Sequence, residues 1–165
     1  MTRAVIFDID GTLSNPEHRL HFVRGPKKDW DSFFAGLSDD PPAKNILDLC
    51  QELSFGSKIL VATGRPEKYR CATKRWLDSF GVYLDQLYIR PDDDTRPDHI
   101  VKSQILDGIY ADGYEPWLVI DDRQSVVEMW RDRGLTCLQC RSDVPGKVRP
   151  GYTPSYAMNR IEEEV

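Results

Sequence analysis

Short apolar runs alternate with segments of helical spacing along most of the chain, and this alternation restricts the fold more than any other feature. The runs predict five strands, at residues 3–8, 58–62, 86–89, 117–120 and 135–140. Strands that alternate with helices favour a parallel sheet with helices packed on both faces. The sequence therefore predicts a three-layer, Rossmann-like α/β fold.

The segments between these runs predict four helices. The first spans residues 46–53, and the second begins at Pro66, a favourable residue for a first helical turn. Asp98 is the expected cap of the third helix, and Trp130 lies on the inner face of the fourth. Trp76 and Trp130 are therefore expected in the core rather than on a surface that stacks against nucleic-acid bases.

The domain organisation follows from chain length and local composition. A chain of 165 residues has the length of one ordinary domain. We assign residues 1–140 to this domain and residues 14–42, which are polar and irregular, to a small cap insertion within it. Residues 141–165 hold three prolines and few aliphatic side chains, which favours an extended tail with at most one short terminal helix.

Composition excludes several classes of protein. The net charge of −5 disfavours a long nonspecific nucleic-acid footprint, which needs a broadly basic face. No apolar run approaches the ~20 residues of a membrane-spanning helix, so no membrane contact is expected. The four cysteines do not form a secreted disulfide framework, and no secretory signal opens the chain, so we expect a cytoplasmic location. Cys137 and Cys140 would point to opposite faces of a strand, which disfavours a zinc site.

Paired aspartates follow two of the predicted strands. Asp8 and Asp10 come after the first strand, and Asp121 and Asp122 come after the fourth. In an open α/β sheet, ligands bind beyond the carboxyl ends of the strands, where these side chains meet. Four crowded carboxylates repel one another unless a cation lies among them, and oxygen ligands without histidine or cysteine suit Mg²⁺. The sequence predicts a magnesium site at this edge.

Phosphate-binding groups are expected at the same edge. Thr63, Gly64 and Arg65 follow the second strand, and Lys102 lies one turn into the helix after the third. Their hydroxyl, main-chain N–H and cationic groups suit phosphate oxygens, which outlines a phosphoryl-transfer site. Each residue taken alone also has an ordinary structural interpretation, as a turn residue, a helix cap or a surface ion pair. No P-loop motif of a kinase occurs in the sequence.

The order of these motifs resembles that of the haloacid dehalogenase superfamily of phosphatases. Asp-Ile-Asp-Gly-Thr-Leu at 8–13 is followed by Ala-Thr-Gly-Arg at 62–65, then by Lys102, then by the Asp121-Asp122 pair. The resemblance covers residues 3–140 and implies a haloacid dehalogenase-like fold with an aspartyl-phosphate mechanism.

The resemblance also implies a role for each motif residue. Asp8 would attack the phosphorus, and Asp10 would protonate the leaving alkoxide and then activate the hydrolytic water. Thr63 and Lys102 would hold the phosphoryl oxygens. The Mg²⁺ ligands would come from the four aspartates Asp8, Asp10, Asp121 and Asp122.

A narrower resemblance concerns the substrate. The strings Arg90-x₅-Arg96-Pro97-Asp98-x₃-Lys102 and 119–131 are similar to the 3′-phosphatase domain of phage polynucleotide kinase-phosphatases, and Arg19 falls where that family places a required arginine. The resemblance therefore adds further residues to the phosphate and substrate site: Arg19, Arg65, Arg90, Arg96, Asp98 and Arg123.

The expected activity is Mg²⁺-dependent removal of 3′-phosphates from polynucleotide ends. A cap of about 29 residues leaves no room for a large lid, and a lightly covered site admits a strand terminus. A nucleotidase for (deoxy)nucleoside monophosphates is the alternative enzyme, and a non-catalytic phosphate-binding module is the alternative outside enzymes. The ligand is thus a nucleic-acid 3′ end or a nucleotide, and a separate kinase or ligase chain is a candidate partner. The sequence favours neither DNA nor RNA as the substrate, and it indicates no particular oligomeric state.

Overall fold

A computed structural model describes residues 1–140 of the chain. Five strands form one parallel sheet in the order β3-β2-β1-β4-β5. The strands are β1 (Thr2–Phe7), β2 (Lys58–Pro66), β3 (Gln86–Arg90), β4 (Tyr114–Asp121) and β5 (Cys137–Gln139). The predicted parallel α/β architecture is confirmed, and each predicted strand is present.

Helices join consecutive strands and cover both faces of this sheet. The α-helices are α1 (His21–Arg24), α2 (Trp30–Ala35), α3 (Lys44–Ser54), α4 (Arg70–Ser79), α5 (Asp98–Ala111) and α6 (Gln124–Asp132). Single 3₁₀ turns occur at Glu17–Arg19, Leu37–Asp39 and Glu67–Tyr69. Within residues 1–140, no helix combines the length and the apolar character needed to cross a bilayer.

The core divides at the sheet into two apolar clusters. Alternate residues of β1 supply each side: Val5 and Phe7 pack with α3 and α4, whereas Ala4 and Ile6 pack with α5 and α6. Strand order therefore reverses between β1 and β4, since the connections on either side use helices on opposite faces. Such a reversal opens a crevice beyond the strand ends.

The insertion between β1 and α3 forms a small third cluster above this crevice. Phe33, Phe34 and Leu37 are its buried members, and they pack against Tyr69 at the start of α4. Ser14 and Pro42 form an isolated β-bridge, which brings the two ends of the insertion together. The predicted cap region thus contains α1, α2 and two 3₁₀ turns.

Two local expectations are wrong. Pro66 does not begin a helix, because its ψ of 152° keeps the chain extended and pairs it with Arg90 of β3; α4 begins at Arg70 after a 3₁₀ turn. Asp98 is the first residue of α5 and makes no capping hydrogen bond, because Pro97 occupies the cap and the Asp98 carboxylate pairs with Arg90 instead.

Other local expectations are confirmed. Trp76 and Trp130 are core residues, at 3% and 0% exposure. Cys137 packs in the cluster of α5 and α6, whereas Cys140 packs against the cluster on the other face of the sheet, so the two thiols lie on opposite sides. The expected extended tail, at 141–165, lies outside the described residues.

Candidate active site

Three carboxylates converge where β1 and β4 end. Asp8 directly follows β1 and donates its main-chain N–H to the carbonyl of Ile120, 3.0 Å away, which fixes the loop against β4. One oxygen each of Asp8, Asp121 and Asp122 lies within 4.8 Å of the others. The parallel pairing of the two strands therefore places residues more than 110 positions apart in one cluster.

Lys102 connects two members of this cluster. Its buried ammonium group donates to Asp8 Oδ1 at 2.7 Å and to Asp121 Oδ2 at 2.9 Å. Burial lowers the pKa of Lys102, but Asp121 and Asp8 outweigh burial and raise it, so the lysine stays charged. Lys102 reaches the site because α5 begins four residues earlier and turns this side chain inward.

Asp8 is held in an unfavourable environment for a carboxylate. Burial raises its pKa well above the ordinary value; Lys102 opposes this shift, and Asp121 and Asp122 add to it. The three carboxylates and one lysine leave negative charge at this edge. A donor set of carboxylate oxygens alone fits Mg²⁺, and a divalent cation here would offset that charge.

Asp10 lies outside this cluster of three carboxylates and contacts two arginines. It accepts hydrogen bonds from Arg65 Nε at 2.9 Å and Nη2 at 2.7 Å, and from Arg19 Nη2. Burial raises the pKa of Asp10, but Arg65 and Arg19 outweigh burial and hold it below the usual range. The two aspartates of the first motif thus experience opposite environments.

Asp40 is a site residue that the sequence analysis missed. Its buried carboxylate accepts from Arg19 Nε at 2.6 Å, from Arg65 Nη2 at 3.3 Å and from Ser14 Oγ at 3.0 Å. It therefore balances the charge of the same two arginines that hold Asp10. It stands in a polar, irregular loop without a motif. Nothing in the sequence singles it out, because the clustering of Arg19 and Arg65 around Asp10 becomes visible only in the structure.

Two glycines allow close approach at the strand ends. A Cβ on Gly64 would lie 2.2 Å from Asp98 Oδ1, and a Cβ on Gly11, whose φ is +95°, would lie 2.1 Å from Asp122 Oδ2. Thr63, Gly64 and Arg65 do not follow β2 as expected but lie within it, where the pairing with β3 shifts register between Thr63 and Pro66. Thr63 is fully buried, and its Oγ1 accepts the main-chain N–H of Arg65 at 3.2 Å.

Arg90 and Arg123 are the two remaining predicted arginines that pair with Asp98. Arg90 donates to the main-chain carbonyls of Gly64, Asp94 and Arg96 and to Asp98 Oδ1, at 2.7–3.1 Å. Its guanidinium group therefore holds loops together.

Two of the predicted arginines stay half-exposed. Arg123 lies 3.5 Å from Asp98 Oδ2 with a side chain that is 51% exposed. Arg96, which is 50% exposed, pairs with Asp94. These two guanidinium groups, unlike those of Arg19 and Arg65, reach the surface.

Comparison with known families identifies this arrangement. The model of the family described as the polynucleotide kinase PNKP phosphatase domain matches residues 2–143. The chain belongs to this family. It is therefore a haloacid dehalogenase-like phosphatase related to polynucleotide kinase-phosphatases, as the order of motifs indicated.

Individual relatives agree with this membership. A protein of Autographa californica nuclear polyhedrosis virus, provisionally named a bifunctional polynucleotide kinase/RNA ligase, is 29% identical over 133 residues, which are 79% of this chain and 18% of the viral protein. A chain of the Pnkp1/Rnl/Hen1 complex is 28% identical with a TM-score of 0.74, over 87% of this chain and 47% of that one. The present chain thus spans only part of each relative.

A more distant structure shows the fold alone. A haloacid dehalogenase-like hydrolase from Streptococcus pneumoniae is 18% identical, with a TM-score of 0.60 over 84% of each chain. The shared sheet and flanking helices extend the likeness beyond the polynucleotide kinase family.

Proposed function

We propose that this phosphatase removes 3′-phosphates from polynucleotide ends through a covalent aspartyl-phosphate. The observation that carries the proposal is the contact of Lys102 with both Asp8 and Asp121, beside Asp122, at one edge of the sheet. A carboxylate nucleophile, a fixed cation and further acidic ligands are the parts that phosphoryl transfer from a monoester needs.

Asp8 performs the first step. One carboxylate oxygen forms a bond to phosphorus, and the bond from phosphorus to the sugar oxygen breaks. Lys102 and the Thr63 hydroxyl stabilise the phosphoryl oxygens as their charge develops. A bound Mg²⁺, held by Asp8, Asp121 and Asp122, would supply further neutralisation of phosphate charge.

Asp10 transfers protons in both steps. It donates a proton to the departing sugar oxygen, and it then takes a proton from the water that hydrolyses the aspartyl-phosphate. Arg65 and Arg19 favour its ionised form, which suits the second step. The negative charge of a bound phosphate raises the pKa of a neighbouring carboxylate, which favours the protonated form in the first step.

The polynucleotide specificity rests on family membership and on two exposed arginines. The relatives carry polynucleotide kinase in their names. Arg96, paired with Asp94, and Arg123, near Asp98, are half-exposed, which places cationic groups where a strand can contact them. A mononucleotide has no internucleotide phosphate for such groups to bind.

A phosphate-release panel tests this function. Matched 3′-phosphorylated and 5′-phosphorylated oligonucleotides, in DNA and RNA, are compared with the corresponding mononucleotides in the presence of Mg²⁺. We expect the highest kcat/KM for 3′-phosphorylated oligonucleotides and no release in EDTA. Faster release from mononucleotides would instead assign the chain as a nucleotidase.

A separate kinase or ligase is the proposed functional partner. One relative is part of a complex with Rnl and Hen1 that is described as an RNA repair complex. The product of the proposed reaction is a 3′-hydroxyl end, which a ligase can join once a kinase has phosphorylated the opposing 5′ end. In a reconstituted reaction with both enzymes, omission of this phosphatase should prevent joining of 3′-phosphorylated strands.

A further inference from the structure

Trp130 is a fully buried core residue whose indole contacts the catalytic edge. It lies on α6 within the apolar cluster beneath the sheet. Its Nε1–H donates to Asp121 Oδ2 at 3.1 Å. A buried indole normally finds an acceptor for its N–H group, but here that acceptor is a carboxylate of the site itself. Packing alone accounts for the ring and leaves this choice of partner unexplained.

The Asp121 carboxylate has donors on both of its oxygens. Oδ1 accepts the main-chain N–H groups of Asp122 at 2.9 Å and of Arg123 at 3.3 Å. Oδ2 accepts from Lys102 at 2.9 Å and from Trp130. Among the residues that the structure describes, three of these four donors belong to the active-site edge, and Trp130 alone comes from the hydrophobic core. The indole therefore ties the orientation of this carboxylate to a rigid helix.

Lys102 carries this orientation to the nucleophile. Its single ammonium group is shared between Asp121 Oδ2 and Asp8 Oδ1, and it is 1% exposed, so water cannot replace a lost partner. A rotation of the Asp121 carboxylate would draw the ammonium group away from Asp8. Displacements of about 1 Å at such a site are sufficient to slow chemistry substantially.

We infer that Trp130 is a positioning residue of the phosphatase, which holds Asp121 so that Lys102 stays against Asp8. This inference rests on the proposed function, in which Asp8 is the nucleophile and Lys102 stabilises the phosphoryl group. It adds to that function a residue that touches neither substrate nor metal and acts only through Asp121.

Steady-state kinetics of Trp130→Phe test the inference. Phenylalanine keeps an aromatic ring in the core and removes the N–H donor. We expect kcat to fall about 10- to 100-fold, the range typical for residues that orient site ligands. KM should stay nearly constant, and the loss should be equal for p-nitrophenyl phosphate and for an oligonucleotide, because Lys102 acts on the phosphoryl group whatever the leaving group.

Two control variants separate positioning from packing. Val127→Ala loosens the same helix and the same apolar cluster, and Trp117→Phe removes an indole bond to Ser57 Oγ from the same strand that carries Asp121. Both folded variants should keep the wild-type kcat. An unchanged kcat in Trp130→Phe, or an equal loss in Val127→Ala, would overturn the inference.

The indole N–H resonances give a readout that does not depend on activity. Each of the four tryptophans gives one such signal, and the Trp130 signal is assigned in the wild type through the sequential backbone resonances of α6. Asp121→Asn should shift it, whereas Asp39→Asn, at an exposed position of the cap, should not. A Trp130 signal whose chemical shift is unchanged in Asp121→Asn would overturn the inference, even where Trp130→Phe fails to fold. If the wild type hydrolyses no phosphate ester, the proposed function is wrong. The Trp130 signal then still shows whether the indole contacts Asp121.

Discussion

At the scale of single residues, Asp8 and Asp10 stand two positions apart in opposite electrostatic environments. Burial raises the pKa of Asp8, so the fold favours its protonated form. The contribution of Asp8 to the free energy of unfolding is therefore fully present below its ordinary pKa, and it is lost as pH rises through the raised pKa. Burial raises the pKa of Asp10, but Arg65 and Arg19 outweigh burial and lower it. The contribution of Asp10 to the free energy of unfolding is therefore present above its ordinary pKa, and it is lost as pH falls through the lowered pKa.

Thermal unfolding in EDTA at neutral pH should therefore separate the two aspartates. Asp8→Asn removes a disfavoured charge and should raise Tm by about 2–4 °C, equivalent to about 1 kcal/mol. Asp10→Asn breaks charged hydrogen bonds to two arginines and should lower the free energy of unfolding by about 2 kcal/mol. Shifts of the same sign in the two variants would contradict this description of the site.

In EDTA, Asp8→Asn should be more stable than the wild type, and Mg²⁺ should reverse this order. If Asp8, Asp121 and Asp122 hold the ion, its binding stabilises the wild type by mass action, and it stabilises Asp8→Asn much less because one ligand has lost its charge. Differential scanning fluorimetry across a Mg²⁺ titration measures this difference. An equal rise of Tm in both proteins would exclude Asp8 from the metal site.

The leaving group should reveal the role of Asp10. Asp10→Asn removes the group that protonates the sugar oxygen, and p-nitrophenolate departs without protonation. We expect a loss of about 10²- to 10⁴-fold on a 3′-phosphorylated oligonucleotide and a much smaller loss on p-nitrophenyl phosphate. Lys102→Ala is the matched comparison, because it should slow both substrates by similar factors. Equal losses in Asp10→Asn would mean that Asp10 only orients the arginines.

At the scale of elements, the cap is joined to the sheet through Asp40. Its carboxylate binds Arg19 from the cap and Arg65 from β2, and its carbonyl accepts the Trp76 indole of α4 at 2.9 Å. Asp40→Asn should reduce kcat at least about tenfold, because both arginines lose the partner that orients them on Asp10. Asp39→Asn, at the neighbouring exposed carboxylate, should have wild-type activity; similar losses in the two variants would contradict the assignment.

The strands and the main site were predictable because their signals are local. The continuous apolar runs of β1 and β4 end at Asp8 and Asp121, so a motif and a strand end coincide in the sequence. Asp40 was not predictable in this way, because its role depends on the path of an irregular cap. The prediction of a helix start at Pro66 was wrong because the φ of proline suits both a first helical turn and an extended strand. The pairing of Pro66 with Arg90 of β3, which the sequence does not show, selects the extended form.

At the scale of the whole molecule, a net charge of −5 has to be reconciled with a polynucleotide substrate. We expect strand binding to be local, through Arg96 and Arg123, which are half-exposed at the rim of the site. Arg19 and Arg90 are engaged with carboxylates and main-chain carbonyls, so their loss should affect all substrates. Among the predicted site arginines within residues 1–140, the two at the rim are therefore the ones expected to govern strand binding.

Alanine substitution of the rim arginines tests this view. Arg96→Ala and Arg123→Ala should each raise KM for a 3′-phosphorylated oligonucleotide several-fold and leave p-nitrophenyl phosphate hydrolysis nearly unchanged. At low substrate concentration, the rate at which the wild type hydrolyses the oligonucleotide should also fall with added salt, because contacts to phosphates release counterions. Each substitution should make this rate less dependent on salt. Parallel losses on both substrates would place these arginines in the catalytic centre instead.

The proposed function requires that a polynucleotide 3′ end phosphorylates Asp8. The most direct measurement is acid quenching of the enzyme during turnover of a 3′-[³²P]phosphorylated oligonucleotide, followed by peptide mass analysis. We predict label on the peptide that contains Asp8, its disappearance in Asp8→Asn, and its accumulation in Asp10→Asn when an activated ester serves as phosphoryl donor. Turnover by wild type without labelled Asp8, or label on another residue, would contradict this mechanism.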